Sequence, residues 1–285
     1  MARTKSSFVS VTPSPIAISV GGNLGGIGKS TYLIVLNDCF RIVGQALDLL
    51  QLDEQSKIER MTGQPVTSVD LAVFQNAKED EWAVQRAMRP VYDTIIAMAQ
   101  TGRCCAYETA GGMSSIAHDA FAVMDIVEET EELGISIHAH ILVVASEESL
   151  KQMLLETERH RRTFPGGHIV YVLNNRLGNV RAFIDEVSDD LRHPVLALLA
   201  EAPSITMRRV APPTMKLWEK LAVSPFRIAE WRVEGGYTRV MTETGLDRLE
   251  AKLFAGEIVG WAADIREQLI GLYPMLGTGT NDVQP

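Results

Sequence analysis

The sequence predicts an α/β fold, a mostly parallel sheet flanked by helices and followed by a C-terminal helical extension. Three observations carry this. Short apolar runs such as 16–20 (IAISV), 135–145 around Ile141-Leu142-Val143-Val144, and 168–173 (HIVYVL) have the length and β-branched character of buried strands. Between them lie longer segments with apolar residues at three- and four-residue steps, as from Trp82 to Ile96. The first run also passes straight into five glycines within eight residues (Gly21, Gly22, Gly25, Gly26 and Gly28), then Lys29-Ser30-Thr31 and a helix-like segment, 32–43.

Strand, glycine-rich loop and helix in that order form a phosphate cradle. Successive loop N–H groups point into one concavity, and the helix adds its positive end. In such a loop Lys29 reaches the β- and γ-phosphates, and the Ser30 hydroxyl is a ligand for Mg²⁺. The general pattern G-x-x-x-x-G-K-[ST] is met except at its first position, where Asn23 stands.

The run Gly25-Gly26-Ile27-Gly28-Lys29-Ser30-Thr31 resembles the G-G-x-G-K-[ST]-T P-loop of ParA/MinD-type ATPases. That resemblance implies a P-loop NTPase sheet, binding of ATP with Mg²⁺, and phosphate contacts from all seven of these residues. The family carries a second, signature lysine just before the Gly-Gly pair, which reaches the partner's phosphates in a nucleotide-sandwich homodimer. Here that position is Leu24, so the resemblance supports nucleotide binding more than dimer-coupled hydrolysis.

The other elements follow in chain order. The run 46–55 is apolar and ends in Gln51-Leu52-Asp53-Glu54-Gln55, similar to the family's D-x-D-P-Q, with Gln51 in place of the first Asp. The resemblance makes Asp53, which in the family positions the attacking water, the candidate catalytic residue beside Lys29. Residues 56–80 are polar and broken by Gly63 and Pro65, an expected loop with short elements. A helix is expected from Glu81, with Pro90 either kinking it or marking its start.

Residues 103–112 form a short strand ending in Glu108-Thr109-Ala110-Gly111. This is similar to the family's D-x-x-G, whose acid lies near Mg²⁺ and whose glycine contacts the γ-phosphate. Glu108 and Gly111 take those roles by resemblance. The acidic run 128–132 is expected to be a solvated helix face. His138 and His140 alternate along a strand without further metal ligands and are expected at the edge of the core. Ser146 is placed to cap a helix through His160 that ends in Arg159-His160-Arg161-Arg162, where basic residues complement the helix dipole.

The strand 168–173 runs into Asn174, which matches the family's adenine-binding asparagine, although a simple turn asparagine fits the sequence as well. A last strand is expected at 194–199, followed by a loop 201–211 similar to the family's I-P-x-S segment.

The expected organisation is an N-terminal tail (1–15), an ATPase domain (16–222) and a C-terminal helical extension (223–285). The last contains a helix-spaced apolar series that includes Leu246, Leu249, Leu253, Ile258, Ile265 and Leu269. From Leu246 to Leu272 it carries five acids against three bases, the wrong sign for anionic lipid, so packing on the domain or on a partner protein is expected.

Composition excludes some functions. Three cysteines without metal-ligand spacing, two of them adjacent, point to a reduced, cytoplasmic compartment. No apolar run has membrane-spanning length. The net charge of −9 excludes coating nucleic acid with the whole surface, although residues 151–220 carry 11 Lys/Arg against 8 Asp/Glu. Weak, sequence-independent DNA binding is expected through Arg159, Arg161, Arg162, Arg208 and Arg209. Within the family, order and spacing are most similar to the TraL-like ATPases of conjugative plasmids. The resemblance therefore implies a slow ATPase in plasmid transfer, partition or cargo positioning. Leu24, Gln51 and Glu108, which depart from the family pattern, leave open a nucleotide-sensing scaffold that recruits a partner without hydrolysis.

Overall fold

The computed structural model describes residues 14–45, 47–52, 57–69 and 82–277. Asp53 lies outside them. The elements are β1 (Ile16–Gly21), α1 (Lys29–Ile42), β2 (Leu47–Leu52), α2 (Lys57–Thr62), β3 (Val66–Ser68), α3 (Ala83–Thr101), β4 (Cys104–Thr109), α4 (Ser114–Val123) and α5 (Ile126–Glu132). There follow β5 (Ser136–Val144), α6 (Glu147–Thr163), β6 (His168–Asn174), α7 (Val180–Glu186), α8 (Asp189–Glu201), β7 (Ser204–Met207), α9 (Pro212–Leu221), α10 (Pro225–Thr244) and α11 (Arg248–Leu272). Single 3₁₀ turns lie at Asn175–Leu177 and Pro274–Gly277.

Seven strands form one sheet in the order β3-β2-β4-β1-β5-β6-β7, and every neighbouring pair is parallel. Strands buried on both faces read as continuous apolar runs, which is why β1, β5 and β6 were visible in the sequence. Ile16, Ile18 and Val20 of β1 share one core with α1 and with Trp261 and Ile265 of α11. On the other face, α3, α4 and α5 cover β2 and β4, while α6, α7 and α8 cover β5 and β6. The helix after β1 thus lies on one face, and those after β4 and β5 lie on the other. The connections diverge at the carboxyl end of β1, the place where open parallel sheets bind ligands.

Several expectations are corrected. Residues 194–199 lie inside α8 and are not a strand. Leu191 and Val195 are buried, with Leu198 packed beside them, so the period is helical and one face of α8 closes on the β5–β6 cluster. The last strand is β7, in the segment expected to be a loop; it alternates half-buried Ser204 and Thr206 with buried Ile205 and Met207. Pro90 is not a start, since α3 begins seven residues before it and runs through it. Ser146 does cap α6, its Oγ accepting from the N–H of Ser149 at 3.2 Å.

α10 and α11 pack on the same face as α1. Phe254, Ile258, Trp261, Ile265 and Leu269 are buried there, whereas Leu249 and Leu253, expected on the apolar stripe, are 65% and 64% exposed. α11 opens with a capping box in which Asp247 Oδ1 accepts from Glu250 N–H and the Glu250 side chain accepts from Asp247 N–H. Asp38, near the far end of α1, accepts the Phe226 N–H at 2.8 Å in the first turn of α10.

A buried polar chain joins the P-loop helix to the end of α11. The Tyr32 hydroxyl meets His140 Nδ1 at 2.7 Å, and His140 Nε2 meets the Tyr273 hydroxyl at 2.7 Å. That hydroxyl also meets His138 Nδ1 at 2.9 Å, and His138 Nε2 meets Ser136 Oγ at 2.9 Å. Burial pushes His138 down to about 4 and His140 to about 3, so both imidazoles are neutral at physiological pH. His138 is partly buried, but His140 is fully enclosed, deeper than the core-edge position expected.

Candidate functional site

The loop between β1 and α1 is shaped by what flanks it. Gly28 takes the N-cap position at φ 97°, a left-handed conformation, and a Cβ there would lie 2.6 Å from Asn174 Nδ2. Only glycine satisfies both conditions. Glycine offers no capping oxygen and the first turn of α1 holds no acid, so among the described residues no side chain caps the positive end of the helix. Gly25 and Gly26 are exposed, so the loop's outer rim faces solvent.

Lys29 lies beneath that rim and is 6% exposed. Its ammonium donates to the carbonyls of Gly22 and Leu24, both at 2.8 Å, which holds the charge against the loop. Ser30 Oγ donates to Glu108 Oε1 at 2.9 Å, joining the start of α1 to the end of β4 across 78 residues of sequence. Glu108 is 3% exposed. Hydroxyl and carboxylate are hard oxygen donors side by side at a helix N-terminus, a donor set that fits Mg²⁺. Thr31 is buried one position further along α1, and Ile27 is buried within the loop.

Two further connections press on the loop. Gly111 follows β4, and a Cβ on it would meet the backbone N of Gly25 at 3.2 Å and the carbonyl of Asn23 at 3.3 Å. The Gly112 N–H donates to that Asn23 carbonyl at 3.2 Å. From the other side, Asn174 at the end of β6 donates through Nδ2 to the Ile27 carbonyl at 2.9 Å, and its Oδ1 accepts the Arg176 N–H at 3.2 Å. Arg176 then returns through Nη1 to the Gly26 carbonyl. Asn174 is 5% exposed and its amide faces the loop backbone.

The structure therefore gathers Gly25, Gly26, Ile27, Gly28, Lys29, Ser30, Thr31, Glu108, Gly111 and Asn174 around one loop. Leu24, at the family's signature-lysine position, packs against the core. Gln51 is 1% exposed and pairs in register with Glu108. Arg176 has no local sequence signal for its approach to Gly26, since 150 residues separate them.

A second hydroxyl–carboxylate pair lies on the opposite sheet face. Ser114 Oγ donates to Glu156 Oε2, and Arg159 Nη1 donates to Glu156 Oε1 at 2.6 Å. They border a cavity of about 20 Å³ with His118 and His160, which burial pushes down to about 4 and about 3. Three arginines expected to meet DNA already have carboxylate partners: Arg159 with Glu156, Arg161 with Glu201 at 2.8 Å, and Arg208 with Asp264 at 2.6 Å. Among the described residues, no helix is long and apolar enough to cross a membrane.

No protein-family model matches the chain, and no curated protein does. Among solved structures it is similar to FtsY from Mycoplasma mycoides, with a TM-score of 0.38 and 14% identity over 67% of this chain and 59% of that one. It is similar to a plasmid partition protein from Borrelia burgdorferi, at 0.35 and 12% over 73% of this chain and 96% of that one. It is also similar to the signal recognition particle receptor FtsY from Elizabethkingia anophelis in complex with GDP, at 0.36 and 11% over 72% and 57%. The chain spans less than two thirds of the length of either FtsY. The seven-stranded parallel sheet with its strand–loop–helix is a P-loop NTPase α/β fold.

Proposed function

We propose that the protein binds a magnesium nucleoside triphosphate, ATP by resemblance of its loop, and hydrolyses it slowly. The observation that carries the reading is the Ser30–Glu108 hydrogen bond at the uncapped N-terminus of α1, with Lys29 alongside. The loop N–H groups and the helix end hold phosphates, and Lys29 neutralises charge on them. Ser30 and Glu108 would hold Mg²⁺, which when bound draws charge from the β- and γ-phosphate oxygens. Asp53 orients the attacking water. Slow turnover follows from Leu24, which supplies no charge to a neighbouring site.

By the same resemblance the chain acts in plasmid transfer, partition or cargo positioning, as TraL-like ATPases do, in the reduced, cytoplasmic compartment to which its cysteines point. It exchanges ATP for ADP, recruits a partner protein through the C-terminal helix, and touches DNA weakly; a homodimer would have to form without the signature lysine that Leu24 replaces. A second reading, nucleotide sensing without hydrolysis, is favoured by buried Gln51 standing where the family has an acid.

Calorimetric titration with Mg²⁺ and a non-hydrolysable ATP analogue tests the site. We expect binding by the wild type and a loss of roughly a hundredfold in Lys29→Ala, the size of one or two charge-assisted hydrogen bonds. Absence of heat from wild type with both ATP and GTP analogues overturns the reading. Turnover above about 1 s⁻¹, the low end for kinases, contradicts slow hydrolysis, and turnover indistinguishable from the Lys29→Ala background favours sensing.

A further inference from the structure

Arg176 occupies an unusual position for a surface arginine. It is exposed, yet it is fixed at two points, one of them through an asparagine that is itself held to the loop. Its own N–H donates to Asn174 Oδ1, the Asn174 amide donates to the Ile27 carbonyl, and the Arg176 guanidinium donates to the Gly26 carbonyl. The connector after β6 is thereby clamped over Gly26–Gly28. The turn is tightened further by Asn175, whose Oδ1 accepts the Val180 N–H at 3.0 Å.

The charge balance of this arginine differs from that of three other arginines on the same half of the chain. Arg159, Arg161 and Arg208 each lie against a carboxylate. Among the described residues no carboxylate forms an ion pair with Arg176. A guanidinium has five N–H donors in a planar fork, and the Gly26 carbonyl is met by one. Lys29 is turned under the loop toward the Gly22 and Leu24 carbonyls, so the cation on the outer rim of Gly25–Gly26 is Arg176.

We propose that Arg176 is a nucleotide-binding residue that supplies, from the β6–α7 connector, a positive charge to the phosphates held by the loop. This deepens the reading of the loop as a nucleotide site and rests on it. A planar guanidinium is suited to a phosphate's paired oxygens. Its attachment to Gly26 places that fork before a ligand arrives, so less side-chain freedom is lost on binding.

The competing role, a mere fastener for the Gly26 carbonyl, is separated from this one by charge. Arg176→Gln keeps an N–H donor for the carbonyl and removes the cation; Arg176→Lys keeps the cation and loses the fork. Binding of the Mg²⁺-loaded non-hydrolysable ATP analogue and of adenosine is measured for wild type and both variants at low and high salt. We expect Arg176→Gln to bind the triphosphate roughly ten- to hundredfold more weakly, with a shallower salt dependence, unchanged adenosine binding and an unchanged melting temperature. Arg176→Lys recovers part of that loss. Triphosphate binding by Arg176→Gln equal to wild type overturns the proposal, as does a loss shared equally by adenosine or by Arg176→Lys. Wild type that binds neither ligand removes the nucleotide site itself, and this proposal with it.

Discussion

Among the described residues, Ser30 with Glu108 and Ser114 with Glu156 are serine–glutamate pairs built from the same groups. Both carboxylates are 3% exposed, and both pairs join the first turn of a helix to a distant element. They differ in what surrounds them. Neither helix end has a side-chain cap, but the first pair lies beneath an exposed glycine rim, with Lys29 held by loop carbonyls. The second has its charge already met by Arg159 and is walled in by Phe121, His118 and His160. Identical chemistry thus serves opposite ends. A carboxylate beneath an open glycine rim can take up a cation with its ligand, whereas one walled in with an arginine fastens α4 to α6.

The largest way to break this comparison is Glu156→Ala. It leaves Ser114 buried without its acceptor and Arg159 without its anion, so we expect a loss of roughly 3 kcal/mol in urea unfolding with nucleotide affinity unchanged. A loss of affinity without a loss of stability would make the second pair part of the site.

Ser30→Ala should do the reverse. The gain in nucleotide affinity on adding Mg²⁺ should shrink roughly tenfold, while stability falls by about 1 kcal/mol as Glu108 loses the Ser30 donor, less than in Glu156→Ala; equal Mg²⁺ dependence in both proteins would remove Ser30 from the metal's ligands.

The smallest effect sharpens the contrast with a third carboxylate. Burial pushes Asp38 up from 3.8 to about 6, against the lowering pull of the Phe226 N–H, the Ser224 hydroxyl and Arg41. A raised carboxyl binds its proton more tightly in the folded state. Its contribution is therefore fully present below the unfolded value and is lost as pH rises through about 6. Between pH 7 and pH 5 the wild type should gain about 1 kcal/mol that Asp38→Asn does not. Parallel stability curves for the two would refute this.

The strands and the loop were legible because each announces itself locally. A parallel strand buried on both faces is an apolar run, and a phosphate cradle is a run of glycines before Lys29-Ser30. What failed depended on neighbours. The stretch 194–199 is apolar enough for a strand, and only the wall formed by β5 and β6 selects the helical face of Leu191 and Val195. β7 is four residues long and half polar, and pairing with β6 makes it a strand. On α11 the spacing of Leu249 and Leu253 was right for a helix, but the packed face runs through Phe254, Ile258 and Trp261. In the site, sequence named residues and could not say what they touch. That Asn174 turns its amide to the Ile27 carbonyl and carries Arg176 to Gly26 is a contact made across some 150 residues.

The chain from Tyr32 through His140 and Tyr273 to His138 and Ser136 has a directional property. A neutral imidazole donates from one nitrogen and accepts at the other, and a hydroxyl donates once. If Tyr32 donates to His140, then His140 donates to Tyr273, which either donates on to His138 or accepts from His138 as well. If Tyr32 accepts, His140 accepts from Tyr273; the one Tyr273 proton is then spent, so His138 donates to Tyr273 and accepts from Ser136. The one arrangement excluded is that in which Tyr273 would donate to both imidazoles. A His140 tautomer that donates to Tyr32 therefore fixes the tautomer of His138, and a proton position beside the P-loop helix sets the direction of the bond at the far end of the row, at Ser136.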